Sequence, residues 1–336
     1  MKTAVIGFSG SGKSETFAAL AGTGALGAGR AMVKVPEPRL DPLVKLFAPK
    51  KVTYSEIEYL DVHGGGGKGS GLGERILNEI RPYDCFLAVL DAFSGLADPA
   101  GQQRAVEEDF LIADLSVIEK RLERIASDKR KSRDLVDARE EEALVAAKAL
   151  LDAEKPLRAD PALCAEPRLK GFRFLSAKPV LYVWNCSEAE IGSLALPGGE
   201  PGAAHVAFAA KLERELAEIP DPAERAALLA ELGIKAPALE QVIAKTYALL
   251  GLISFLTAGD KEVRSWAVRR GSTAVEAAGA IHSDIQKGFI RAEVVGYADF
   301  LTAGDFKRAK ELGLARLEGK DYLVQDGDII EFRFNV

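Results

Sequence analysis

Short apolar runs separated by polar, glycine-marked turns set the rhythm of both ends of this chain. Thr3–Ile6 is a β-prone run, and a helical pattern through Phe17 and Leu20 follows it. Ile57–Leu60, Cys85–Leu90, Pro179–Val183 and Val206–Phe208 read as further strands, the runs at 85 and 179 apolar enough to be buried on both faces. Between Leu90 and Pro179 the period changes. Leu111, Leu115, Ile118, Leu122 and Ile125 recur at 4-3-4-3 spacing, a coiled-coil stripe. The polar run Ser127–Ser132 is expected to turn the chain, and a second helix then runs through Val136, Leu144, Ala147 and Leu151 until Pro156 stops it. An antiparallel hairpin projecting from the domain follows, equally a rigid spacer or a docking arm. From Ser254 onward the order is strand, strand, helix, strand and a final strand pair, with tight turn chemistry at Asp326-Gly-Asp328. That order predicts a small β-grasp module. Its Arg264, Arg269, Arg270, Lys287 and Arg291 either form a local basic face or are solvated strand-edge charges.

The chemistry concentrates in the first sixteen residues. Gly7-Phe-Ser9-Gly10-Ser11-Gly12-Lys13-Ser14 is G-x-x-x-x-G-K-S between a strand and a helix start. In that setting the backbone N–H groups meet phosphate oxygens and the helix N-terminus adds positive potential. Lys13 would sit between β- and γ-phosphates, and the Ser14 hydroxyl would ligate Mg²⁺. Asp61-Val-His63-Gly64 is a D-x-x-G at a strand end, where the aspartate would hold Mg²⁺ through water and the glycine amide would sense the γ-phosphate. Seven glycines in the ten residues Gly64–Gly73 make either a plain linker or a switch segment.

Strand 179–183 delivers Asn185 and Glu188 as N-x-x-E, where a GTPase carries N-K-x-D. The longer glutamate misplaces its carboxylate by about one methylene relative to guanine N1 and N2, so guanine selectivity is doubtful. Ala209-Ala210-Lys211 follows the next strand, at the place of a base-contacting S-A-K loop.

Composition narrows the classes. The 336 residues are 48% hydrophobic and 28% charged, which suits a globular protein with a sizeable core, in two or three domains at ~150 residues each. With 44 basic against 50 acidic residues the net charge is −6, which argues against bulk electrostatic attachment to DNA or anionic membrane. The apolar stretch Ala248–Leu256 is too short for a membrane span, and no apolar leader precedes the first strand. Cys85, Cys164 and Cys186 form no CxxC pair or even framework, and the three histidines are far apart. A soluble cytoplasmic protein is expected, with neither membrane nor sequence-specific DNA as partner.

The stretches Gly279–Glu293 (G-A-I-H-S-D-I-Q-K-G-F-I-R-A-E) and Glu318–Asp328 (E-G-K-D-Y-L-V-Q-D-G-D) closely resemble the TGS domain of the YchF/Obg-like ATPases. Val35–Asp41, Lys50-Lys51, Gly71-Leu-Gly73, Glu119–Arg124 and Ala177–Tyr182 resemble the same family, so the likeness covers nearly the whole chain. It implies an α/β P-loop NTPase domain at 1–104 and 172–252, an antiparallel coiled-coil insertion at 105–171 and a C-terminal TGS domain at 253–336. It further implies hydrolysis of ATP in preference to GTP, the N-x-x-E motif, and association with ribosomes. Departures fall on the chemistry. Thr23–Gly29 is a much shortened switch I without an aligned threonine, Ala92–Pro99 lacks the family's loop histidine, and Glu15 stands where threonine is usual.

The expectation is a divergent ATPase of this type. Ser9, Gly10, Ser11, Gly12, Lys13, Ser14 and Glu15 would surround the phosphates, and Asn185, Glu188, Ala210 and Lys211 the base. Ser14 and Asp61 would hold Mg²⁺, Lys13 and Gly64 would act at the γ-phosphate, and His63 is either a water-positioner or incidental. Two rivals stand beside it: a nucleotide-gated binding module that has lost hydrolysis and contacts ribosome or RNA through the insertion and TGS domain, and an ordinary GTPase.

Overall fold

A computed structural model describes the chain except for residues 23–28, 63–70, 132–136, 235 and 336. The strands are β1 (Lys2–Gly7), β2 (Arg30–Lys34), β3 (Lys51–Thr53), β4 (Glu56–Asp61), β5 (Cys85–Asp91), β6 (Val180–Asn185), β7 (Ala203–Phe208), β8 (Leu252–Thr257), β9 (Glu262–Arg269), β10 (Phe289–Val295), β11 (Arg316–Glu318) and β12 (Ile329–Phe334). They form two six-stranded sheets, and the chain divides into two compact units, residues 1–33 with 58–249 and residues 34–57 with 250–336.

The first unit carries the sheet β2-β4-β1-β5-β6-β7, in which β4, β1, β5, β6 and β7 are successively parallel. Every residue of β5 and β6 is buried, as the continuous apolar runs require of strands covered on both faces. On one face Ala4, Ile6, Phe86, Ala88, Leu90, Tyr182 and Trp184 pack against Ile76, Leu77 and Ile80 of one helix and Val106 and Phe110 of another. The helices Lys13–Ala21 (α1) and Ala238–Leu249 pack on the strands from the other side. A parallel sheet of this order opens its carboxyl edge to a ligand.

The insertion begins as α4 (Pro99–Lys131), with α2 (Leu40–Phe47) and α3 (Glu74–Ile80) before it and α5 (Ala138–Asp152) after it. All five residues of the 4-3-4-3 stripe join one apolar cluster with Leu144, Ala147 and Leu151 of α5. Arg121–Glu140 and Lys148–Glu119 ion pairs cross between the two helices in antiparallel order. The expected turn at 127–132 is not found at 127–131, where α4 stays helical through Lys131; Ser132 lies outside the described residues. Lys129 reaches Glu141 across the hairpin and Lys131 pairs with Asp128 one turn back, so the charges support helix. Val136 lies outside the described residues.

The second unit carries the mixed sheet β11-β10-β12-β8-β9-β3. Segment 34–57, expected within the nucleotide domain, packs here. β3 pairs parallel with β9, Ser55 N donates to Ser265 Oγ at 2.9 Å, and Arg39 grips the Asp326 carboxylate at 2.9 and 3.2 Å. Leu40 and Leu43 of α2 are fully buried against Leu256, Val263, Val295 and Phe300. The sequence separation of these partners hides the match from local pattern.

Candidate functional site

The P-loop is a tight structure with little freedom. Gly10 and Gly12 have φ of +83° and +84°, left-handed values that cost glycine nothing. Ser11 N closes a turn on Phe8 O at 3.2 Å, and the Thr16 N–H and hydroxyl both bond Gly12 O, starting α1. A side chain on Gly12 would collide with the Asn185 amide. That amide is the brace of the site: Nδ2 donates to Ser11 O at 2.9 Å while Oδ1 accepts from Ala210 N at 3.0 Å. One buried side chain therefore fixes the P-loop and the 209–211 loop against each other.

Lys13 Nζ lies 2.6 Å from Asp61 Oδ1 and 2.5 Å from Val62 O, a contact that brings the P-loop lysine and the D-x-x-G aspartate together. The Ser14 hydroxyl is exposed and makes no side-chain bond among the described residues. Ser14 and Asp61 line one cleft of about 470 Å³ with Gly10, Gly12 and Lys13. A hydroxyl and a carboxylate are hard oxygen donors, so the pair fits Mg²⁺. His63 and Gly64 lie outside the described residues.

A second cleft of about 660 Å³ is lined by Gly12, Glu15, Asn185, Cys186, Glu188, Ala210 and Lys211 among others. Ser187 donates through both N–H and hydroxyl to Glu190 at 3.0 and 2.6 Å, and this capped turn carries Glu188 on the exposed side. Burial pushes the Cys186 thiol up, so it stays neutral and contributes an apolar wall. All of the expected phosphate residues from Gly10 to Glu15 except Ser11 line these two clefts. Ser9 also lines the first, and Ser11 is buried behind it.

Phe93 escaped the sequence reading. The residue is 47% exposed yet lines both clefts, held there because the Asp91 carboxylate accepts from Phe93 N, Ser94 N and the Ser94 hydroxyl. The signal was an aromatic directly after the carboxyl end of a buried parallel strand, where ligands collect. Arg214 was missed as well; it pairs with Glu15 at 2.7 Å.

The strand order, the glycine loop opening α1 and the Lys13–Asp61 pair define a P-loop protein of the nucleoside triphosphate-hydrolase class. Residues 252–335 match the YchF GTPase C-terminal family, described as a protein of unknown function (DUF933). Over 99% of this chain and 98% of the relative, the sequence is 38% identical to the ribosome-binding ATPase YchF of Bacillus subtilis. It is 36% identical to the protein of that name from Haemophilus ducreyi, across 100% and 99% of the two chains. The solved Schizosaccharomyces pombe YchF GTPase superposes with a TM-score of 0.88 at 27% identity, covering 99% of this chain and 97% of that one. A Pyrococcus horikoshii GTP-binding protein shares the fold at a TM-score of 0.66 and 18% identity. The chain belongs to the YchF family. No helix among the described residues is long and apolar enough to cross a membrane.

Proposed function

We propose that this chain is a Mg²⁺-dependent ATPase that turns over slowly and acts as a nucleotide switch in ribosome-associated regulation in the cytoplasm. The observation that carries the reading is the Lys13–Asp61 contact inside a phosphate-sized cleft that shares Gly12 and Glu15 with the Asn185–Glu188 cleft. Backbone N–H groups of residues 10–14 would take the β- and γ-phosphate oxygens. Lys13 would exchange the Val62 carbonyl for phosphate oxygens. Bound Mg²⁺ would neutralise phosphate charge, with Ser14 and Asp61 as the residues that hold it. The base would lie against Phe93 and Asn185, and Glu188 disfavours guanine because its carboxylate is carried too far to accept from N1 and N2 together. On sequence grounds Gly64 would read the γ-phosphate, and His63 is either a water-positioner or incidental. The ribosome as partner rests on the names of the relatives, with the helical hairpin and the TGS-like C-terminal unit as the proposed contacts.

The test is a Mg²⁺-dependent titration with ATP and GTP, followed by phosphate release from the same sample. ATP binding tighter than GTP, with release reduced to background by Lys13→Ala, is the expected result. Equal release from the variant would sink the assignment. The loop after β5 carries Ser94 and Asp98 and no histidine, which favours one other reading, a binding module without turnover. Tight binding with no release above the Lys13→Ala control would establish that reading instead.

A further inference from the structure

Gly12, Glu15 and Phe93 line both the phosphate cleft and the base cleft. In a nucleotide whose phosphates rest on the P-loop and whose base lies by Asn185, the sugar occupies that junction. Of the three junction residues only Glu15 has a polar side chain, and a carboxylate only accepts hydrogen bonds. The matching donors on a nucleotide sugar are its vicinal hydroxyls. Building on the nucleotide-site reading above, we propose that Glu15 reads the ribose diol, so that the protein prefers a nucleotide with both sugar hydroxyls over one that lacks the 2′- or the 3′-hydroxyl.

The surroundings of Glu15 suit this task. Its Oε2 accepts from Arg214 Nη1 at 2.7 Å, while Oε1 accepts no hydrogen bond from the described residues. One oxygen is thus anchored and the other is left for a ligand donor. Arg214 belongs to the helix Ala210–Glu218, whose first N–H is tied to Asn185 Oδ1, so the carboxylate is referenced to the base loop. Arg214 also supplies the countercharge that lets a carboxylate stand beside a polyphosphate; without it, repulsion would oppose binding. Both side chains are half-exposed, 46% for Glu15 and 42% for Arg214, so the carboxylate remains accessible to a ligand. The departure from threonine at position 15 gains a meaning: a short hydroxyl becomes a longer acceptor directed at the sugar.

Calorimetric titration of the full-length protein with ATP, 2′-deoxy-ATP and 3′-deoxy-ATP tests the proposal, without labels on the sugar. Wild-type protein is expected to bind ATP about tenfold more tightly than at least one deoxy analogue, the usual worth of a hydrogen bond to a charged acceptor. Glu15→Thr and Glu15→Ala should lose that preference while still binding both nucleotides. Equal binding of ATP and both analogues by the wild type, or a preference that survives in Glu15→Ala, overturns the ribose assignment and leaves the nucleotide site standing. No binding of any nucleotide overturns the site and the ribose assignment together.

Discussion

Asn185 shows how much of the site depends on a single amide. Removing it in Asn185→Ala leaves Ser11 O and Ala210 N without their partners, at about 1–3 kcal/mol for buried polar groups. Nucleotide affinity is expected to fall at least tenfold, read by calorimetry. Asn185→Asp should fail as well, because Ser11 O requires a donor and the carboxylate offers none; an Asp variant with wild-type affinity would refute the bracing role. At this scale the sequence was most legible where chemistry demands a fixed spacing. The motifs singled out Gly10, Gly12, Lys13, Ser14 and Asp61 by residue type and interval, and the fold brings all five to one cleft. Phe93 and Arg214 were not legible, since an aromatic after a strand and an arginine on an amphipathic helix each fit many ordinary roles. Only the fold brings them to the clefts.

At the scale of elements, the insertion illustrates what periodicity conveys and what it omits. The stripe from Leu111 to Ile125 specified which face of α4 is covered, and that face packs on α5. The end of α4 was misjudged because a charged run looks like a turn until its partners on the facing helix are known. Ile118 is fully buried in this hairpin, in a cluster separate from the Val106 and Phe110 contacts with the sheet. Ile118→Ala should therefore destabilise the hairpin by about 2–5 kcal/mol, seen as a lower urea midpoint, with ATP affinity unchanged. A parallel loss of ATP binding would show that the hairpin and the nucleotide site are energetically coupled. The second unit was legible in its first two strands, its helix and its third strand, but not in its end, where two helices (Tyr297–Ala303 and Phe306–Glu311) intervene and β11 and β12 each pair with β10 instead of with each other, nor in its membership. β3 reads as nothing more than Lys-Val-Thr until β9 stands beside it.

For the molecule as a whole, the consequence lies in segment 34–57. Among the described residues, the apolar cluster that covers its Leu40 and Leu43 is made of residues beyond 250 and of their own neighbours. A chain ended after Leu249 should expose them, bind a hydrophobic dye and be cut by protease within 34–57, while the intact chain resists at that place. Resistance of the shortened chain would mean that the segment finds cover elsewhere.

The same arrangement imposes an order on synthesis. Chains grow from the N-terminus at about 5–20 residues per second, so this segment exists on the order of ten to forty seconds before β8 and β9 are made. During that interval the nucleotide unit can close around its own sheet while two leucines of a later unit wait in water. The earliest-made part of the second unit thus gains its native cover only when the final quarter of the chain is made.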